Sequence, residues 1–534
     1  MSYNNSGGGY GHKPDQQQYG YPPQQHGWQQ PYQQNQQQPV YGQQPQYENS
    51  QPAPGNYQQA PPPNDPPPAY SFYPPTNDNK DNYTFNDAFQ VQKPKWNDLW
   101  AGILFLAAMG GFVAISALSL KSFTDSNQSD HGIYGGDSFG LNSNTAIVFA
   151  FCLAMAFILG YAYIMAARTW PKQFIWVSGI LNIALAIATG VYYIWAGTTY
   201  AGVVFLVFGV LLIFFFLSWR KRIPFSAFML RAAIDVAKKY GHVWLVSFLG
   251  GVVGLAFGAW FSVTLVGLYV RYDQSNNATK IGLIAYITFA MYWFSEWLKY
   301  TLHTTVSGVY ASWYFSPHNF PKRATRSSLR RALTYSFGSI SLGSLLTAFI
   351  QALRQLCSIA RSQAGADNGI GLWIVFCVLE CVLSCVQWAA DFINRFAFTH
   401  IALYGTPYIQ AAKDTWNMIK QRGIDALVND CLLGPVFSIG AMMVGYLTTL
   451  MAYLYLKYTN PVYNRDGDYT AVVMAFAFLI GMQVTNIFTT PISSGVDTIF
   501  VAVGWDPEIM RREHPEMWNE LVKTYPTVMN GLHG

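Results

Sequence analysis

Thr199-Tyr-Ala-Gly-Val-Val-Phe-Leu-Val-Phe-Gly-Val-Leu-Leu-Ile-Phe-Phe-Phe-Leu-Ser218 contains no charged side chain. A hydrocarbon core about 30 Å thick needs roughly 20 helical residues to cross it. Backbone in lipid must satisfy its own hydrogen bonds, which a helix does. The stretch therefore reads as a transmembrane helix, and it is one of ten such runs between Asp98 and Pro491. Their expected bounds are 98–120, 145–167, 173–196, 199–218, 243–270, 281–315, 333–353, 371–398, 430–456 and 470–490. The sequence thus predicts an all-α polytopic membrane protein of about ten transmembrane helices.

Composition divides the chain. It has 534 residues, 51% hydrophobic and 11% charged, against about 25% charged for an ordinary soluble domain. Residues 1–95 are rich in Gln, Pro, Tyr, Gly and Asn and hold no apolar run able to form a core. Such a segment cannot offset its ordering entropy, so a disordered tail is expected. Residues 96–505 form the ten-span domain and 506–534 a short second tail. The net charge of +5 says little about partners, and no nucleic-acid partner is expected. No apolar core lies within Met1–Tyr21, so the first span itself has to act as the insertion signal.

Orientation follows from the loops that hold Lys and Arg. Arg220, Lys221, Arg222, Arg231, Lys238 and Lys239 follow span four. Lys322, Arg323, Arg326, Arg330 and Arg331 follow span six, and Lys413, Lys420 and Arg422 follow span eight. Loops after odd spans are poorer, with Lys121 alone in 121–144. Both termini are therefore expected in the cytosol. Sequons at Asn127-Gln128-Ser129 and Asn277-Ala278-Thr279 fall in loops that this rule places outside.

Four further local features carry expectations. Cys377, Cys381 and Cys385 share a face at i, i+4, i+8; packing of small residues against a neighbouring helix is the plainer reading than a metal site. Gly250, Gly254 and Gly258 form a doubled small-xxx-small pattern that permits close helix approach. Gly308 and Gly434-Pro435 are plausible break points, and residues 411–425 read as a short interfacial helix.

Polar residues inside the spans are few and periodic. Trp293, Glu296, Tyr300, His303 and Ser307 recur at intervals of three and four, and so share one helix face. Lys299 is three residues from Glu296 and could neutralise it. Span eight repeats the arrangement with Glu380, Ser384, Gln387, Asp391 and Asn394. Arg395, four residues after Asp391, has ion-pair spacing. Glu380 lies nine residues into its span, roughly 13 Å deep by helical rise. Span ten adds Gln483, Thr485, Asn486 and Thr489. A carboxylate at such depth costs at least a few kcal/mol unless paired, protonated or wetted. Glu296 and Glu380 are therefore expected to converge on a polar cavity. Interhelical hydrogen bonding is the plainer role for Ser384, Gln387 and Asn394. Trp293, Trp297 and Tyr300 could cage a quaternary ammonium by cation–π attraction, while Trp313 and Tyr314 read as interfacial belt residues.

The segment His303-Thr-Thr-Val-Ser-Gly-Val-Tyr-Ala-Ser-Trp-Tyr-Phe315 resembles the sixth-span signature of the choline transporter-like family. Asn394-Arg395, Ile401-Ala-Leu-Tyr-Gly405 and Ala411-Ala412-Lys413 resemble its eighth-span motif. Asp497-Thr-Ile-Phe500 with Asp506-Pro507 resembles its C-terminal signature. The Gln/Pro-rich tail is similar to that of the fungal "pH nine sensitive" branch. The resemblance covers about residues 95–515 and implies ten spans, cytosolic termini, plasma-membrane residence and transport of choline or a related amine. Animal members carry a long, cysteine-rich first outer loop; here 121–144 is short and has no Cys.

Pro67-Pro68-Ala69-Tyr70 matches the PPxY pattern that docks on WW-domain aromatics, which suggests recruitment of a WW-containing ubiquitin ligase. The leading function is a secondary transporter of a choline-like cation or other small solute, with no cofactor and no metal. Its path would use Trp293, Glu296, Trp297, Tyr300, His303, Glu380, Gln387, Asp391 and Asn394. The alternative is a channel or lipid scramblase using the same polar faces. A membrane enzyme built on His303 and His400, and a non-transporting scaffold built on the tail, rank lower.

Overall fold

The computed structural model describes residues 95–526, apart from 127–142, 196, 198, 221–222, 272–276, 367–369, 422–432, 460–469 and 525. The tail motif at Pro67, Pro68 and Tyr70 and the sequon at Asn127 lie outside the described residues. Fifteen α-helices are found among the described residues, and no strand. The first four are α1 (Leu99–Ser126), α2 (Ser143–Thr169), α3 (Pro171–Trp195) and α4 (Thr199–Trp219). Next come α5 (Ile223–Lys239), α6 (His242–Arg271), α7 (Asn277–Phe315), α8 (Ala324–Leu333), α9 (Phe337–Ala366) and α10 (Ile370–Tyr404). The chain continues through α11 (Tyr408–Gln421), α12 (Leu433–Thr459), α13 (Thr470–Trp505), α14 (Pro507–Glu513) and α15 (Pro515–Thr524).

Each of the ten expected spans falls on one of these helices: α1 to α4, α6, α7, α9, α10, α12 and α13. Nine are long and apolar enough to cross a membrane. The tenth, α4, has 21 residues, but its apolar stretch among the described residues, Phe205–Ser218, is shorter. The other helices reveal what apolar runs alone do not show. Helix α5 was expected to be a basic loop. Its Phe225, Met229, Leu230, Ala233 and Ile234 are buried against the bundle while Lys238 and Lys239 lie in its last turn. Helix α8, with three arginines, lies along α7, where the Ser328 hydroxyl donates to the Thr305 carbonyl at 2.7 Å.

Helix α7, 39 residues long, extends about 58 Å and is unbroken at Gly308. Pro435 falls in the first turn of α12, where a missing N–H costs nothing, so neither expected break occurs. Pro491 is the proline inside a helix. Helix α13 passes through it, because membrane helices can satisfy freed backbone groups locally. Beyond that proline, Ile492, Val496, Ile499 and Phe500 enter the main core with α5, the end of α7, α14 and α15. Trp313 and Tyr314 are in this core, not in an interfacial belt; the Tyr314 hydroxyl donates to the Asp506 carbonyl at 2.8 Å. The reason is that α7 runs on past the apolar belt and the chain's last helices cover its end.

The glycine pattern on α6 is used in part. A methyl group at Gly250 would collide with Leu302 of α7, and one at Gly254 would touch Leu298 at 3.4 Å, but one at Gly258 meets nothing. Overpacking a tight contact costs typically 1–3 kcal/mol. Gly250→Val is thus expected to lower the melting temperature of purified protein, and Gly258→Val to leave it unchanged. Equal melting of both variants would show that α6 and α7 do not pack in this register.

Helix α1 is anchored at its start. Asp98 adopts a left-handed backbone with φ 52°. Its Oδ2 accepts from the Ser339 hydroxyl at 2.6 Å and the Tyr408 N–H at 2.9 Å, which ties together the beginnings of α1, α9 and α11.

Candidate functional site

The polar stripes of α7 and α10 do meet, and a third stripe on α9 joins them. Thr347, Gln351, Arg354, Ser358 and Arg361 recur at intervals of four and three. Span seven was expected to end at 353, which left both arginines in a loop. Helix α9 instead continues to Ala366, and four of these side chains form rungs with α7 and α10.

The first rung, nearest the α9–α10 connection, pairs Arg361 with Glu380 at 2.9 Å. In the second, Arg354 Nη1 donates to Gln387 Oε1 at 2.6 Å. The third is the densest. Gln351 Nε2 donates to Glu296 Oε1 at 2.7 Å. Lys299 Nζ donates to Glu296 Oε2 and to Asp391 Oδ1, both at 3.1 Å. Asp391 Oδ1 also accepts from the Tyr300 hydroxyl at 2.7 Å, and the ammonium of Lys299 sits 4.8 Å from the Tyr300 ring centroid. In the fourth, buried Asn394 donates to the Gly343 carbonyl and the Thr347 hydroxyl at 3.1 and 2.8 Å and accepts from the Tyr408 hydroxyl at 2.6 Å.

These contacts revise the expected convergence. Glu296 and Glu380 do not share a cavity. Glu380 is eleven residues from Asp391 along α10, about 16 Å by helical rise, and is taken up by an arginine of another helix. The carboxylate that joins Glu296 is Asp391. Nor does Asp391 use Arg395, despite their spacing. Lys299 and the phenol of Tyr300 already hold Asp391, and Arg395 lies 4.0 Å from Asp497 of α13.

Trp293 and Trp297 stand apart from the charged rung. Trp293 is buried, donates to the Ser341 carbonyl at 3.1 Å and packs edge-on against Phe105. Trp297 stacks on Phe105 at 5.0 Å. They form an aromatic cluster between α1, α7 and α9, so of the expected cage Tyr300 alone faces a cation. Serving as mortar between helices is what large rings do when a neighbouring helix presents another ring.

His303 lies one turn further along α7. Its ring meets Ser494 at 2.8 Å, the Arg395 carbonyl at 2.8 Å and Thr399 at 3.0 Å, which joins α7, α10 and α13. Both ring nitrogens are thereby occupied. His400 is a separate buried group, in contact with Thr406 at 3.0 Å and tilted against the Trp505 ring at 5.3 Å. Gln483 and Asn486 of α13 are exposed and do not enter the ladder. Cys381 and Cys385 are exposed on α10, so they do not pack against a neighbouring helix as expected; a face of α10 points out of the bundle there. Asn277 opens α7.

The third rung is notable for exposure. At the side chain, Glu296 is 9% exposed, Asp391 31% and Lys299 48%. Lys299 is twenty-two residues from the start of α7 and sixteen from its end, within the stretch Thr279–Phe315 that qualifies as a membrane span.

Long apolar helices joined by a ladder of ion pairs and amides define a multi-pass membrane protein. A family model described as "Plasma-membrane choline transporter" matches residues 203–508. Three similar proteins come from fungi. "Protein PNS1" of Gibberella zeae is 54% identical over 83% of this chain and 85% of its own length. "Protein pns1" of Aspergillus fumigatus is 50% identical over 84% and 87%, and "Protein PNS1" of Saccharomyces cerevisiae 35% identical over 84% and 88%. The chain belongs to the choline transporter-like family, in the branch that these fungal proteins form.

Proposed function

We propose that the protein is a plasma-membrane secondary transporter of a small organic cation of the choline type, with both termini in the cytosol. The observation that carries this reading is the half-exposed side chain of Lys299, whose ammonium is held by two carboxylates within a membrane-spanning helix. A charge left in lipid at that depth is expensive. Side chains this exposed would border water, so the face shared by α7, α9 and α10 is read as the wall of a polar passage.

The third rung also suggests how a cation is accepted. Glu296, Asp391 and the Tyr300 ring make a seat for one ammonium group, combining charge and cation–π attraction. Lys299 fills that seat from within the chain. A substrate amine would displace it, and the lysine would return when the substrate leaves. Because substrate and lysine compete for one seat, the carboxylates need never stand uncompensated in the membrane. Trp293 and Trp297 hold α7 in place behind the seat, and His303 fixes it against α13.

Purified protein in liposomes is expected to accumulate labelled choline against its gradient, with saturation. Failure to take up any amine would remove the reading. Flux that never saturates would favour a channel or lipid scramblase on the same ladder, whose exposed rungs could also guide headgroups.

The tail is read as a handle for removal from the surface. Tyr70→Ala should lengthen the lifetime of the protein in a pulse-chase experiment and abolish capture by a WW domain. Unaltered turnover together with unaltered capture would dismiss the tail's role.

A further inference from the structure

A cavity of about 620 Å³ lies on the other side of the bundle, between α2, α3 and α12. Leu159, Tyr163, Phe174, Leu181, Met443 and Leu447 contribute to its wall, with Gln173 and Ser178 among its few polar members. Such a volume lies within the roughly 300–1,000 Å³ of ordinary ligand sites. The shape is informative. Its wall on α3 starts at Trp170, where α2 turns into α3, and reaches Leu181. The eleven residue steps between them rise about 16 Å, close to half of a hydrocarbon core about 30 Å thick. Trp170 and Val177, 60% and 61% exposed, mark its open side.

Charge gathers at one end. Lys172 is exposed beside the mouth. Helices α3 and α4 pack so that Trp176 meets Phe216 at 5.0 Å, which puts exposed Arg220, one turn beyond Phe216, level with Lys172. Arg168, also at this end, is tied to Asp235 at 2.7 Å. Lys172 and Arg220 make no ion pair among the described residues.

We propose that this cavity binds one acyl chain of an anionic glycerophospholipid, whose headgroup phosphate rests on Lys172 and Arg220. Depth matches a single leaflet, the wall is apolar, and the mouth is cationic, so chain and head are satisfied together. Polybasic segments beside a bilayer attract anionic lipid for the same electrostatic reason. The site is separate from the ladder and does not depend on the substrate assigned to it.

The test uses the full chain in phosphatidylcholine vesicles that contain phosphatidylserine with a photoactivatable group midway along one acyl chain. Crosslinks read by peptide mass spectrometry should concentrate on residues 159–181 and 439–447. Lys172→Gln with Arg220→Gln should cut them about tenfold, and Ala162→Phe, which fills the cavity, should remove them. The same probe on phosphatidylcholine should label the cavity far less. Crosslinks spread evenly around the bundle, or equal labelling by both headgroups, would overturn the proposal. The map on the unaltered protein decides this even if a variant does not fold.

Discussion

Asp391→Asn is expected to lower the efficiency of choline uptake about thirtyfold, read as kcat/KM in proteoliposomes at equal protein. Two unit charges 4 Å apart interact by about 4 kcal/mol at an effective dielectric of 20. Asp391 is 31% exposed at its side chain, so screening leaves half of that, ~2 kcal/mol, which corresponds to roughly thirtyfold. The seat keeps Glu296 and the Tyr300 ring but loses one of its two charges. Lys299→Met acts in the opposite direction on binding: the internal competitor is gone and both carboxylates remain, so the KM for choline falls. Glu380→Gln leaves KM unchanged, because that carboxylate serves Arg361 at the first rung. A pattern in which Glu380→Gln abolished uptake and Asp391→Asn did not would place the cation seat at the wrong level of the ladder.

The second large effect is on stability. Asn394→Leu strands the Tyr408 hydroxyl and leaves the Thr347 hydroxyl and the Gly343 carbonyl only their long 3.4 Å bond to each other; all three are hydrogen-bonded to an asparagine with no exposed surface. Each buried polar group without a partner costs about 1–3 kcal/mol, and the three share one network, so they do not add fully. The expected loss is about 3–5 kcal/mol, seen as a clear drop in melting temperature and in folded yield. Tyr408→Phe, which breaks one bond and leaves two, should cost less. If Asn394→Leu melted with the unaltered protein, the fourth rung would not be a structural clasp.

Much of this arrangement is legible in the sequence, because the bilayer imposes a simple rule on length and polarity. All ten expected runs fall on helices, nine of them long and apolar enough to cross a membrane among the described residues, and the Glu296–Lys299 pair shows in its spacing. The amphipathic helices α5 and α8 escape notice for the converse reason: their arginines and lysines satisfy the charge rule and mask a period of apolar residues that the bundle buries. The α9 stripe is hidden by the same arginines that make it informative. A run ending at the first cation stops at Leu353, although Thr347, Gln351, Arg354, Ser358 and Arg361 keep helical spacing beyond it. Partner choice is where one-helix reasoning fails. Asp391 and Arg395 are spaced to pair, and Glu380 and Glu296 occupy similar stripes, but tertiary packing gives Asp391 and Glu380 bases from other helices, Lys299 of α7 and Arg361 of α9. The aromatic residues of α7 mislead for a related reason, since a stripe does not reveal that Phe105 of α1 lies opposite Trp293 and Trp297.

Water at the third rung is the point on which the account rests. With the six native cysteines replaced, Lys299→Cys in proteoliposomes is treated with a charged, membrane-impermeant thiosulfonate in the presence and absence of choline. Labelling that choline slows is the predicted result. A thiol that reacts only with a lipid-soluble maleimide, at a rate indifferent to choline, would mean that this face looks onto lipid and contradict the proposed passage.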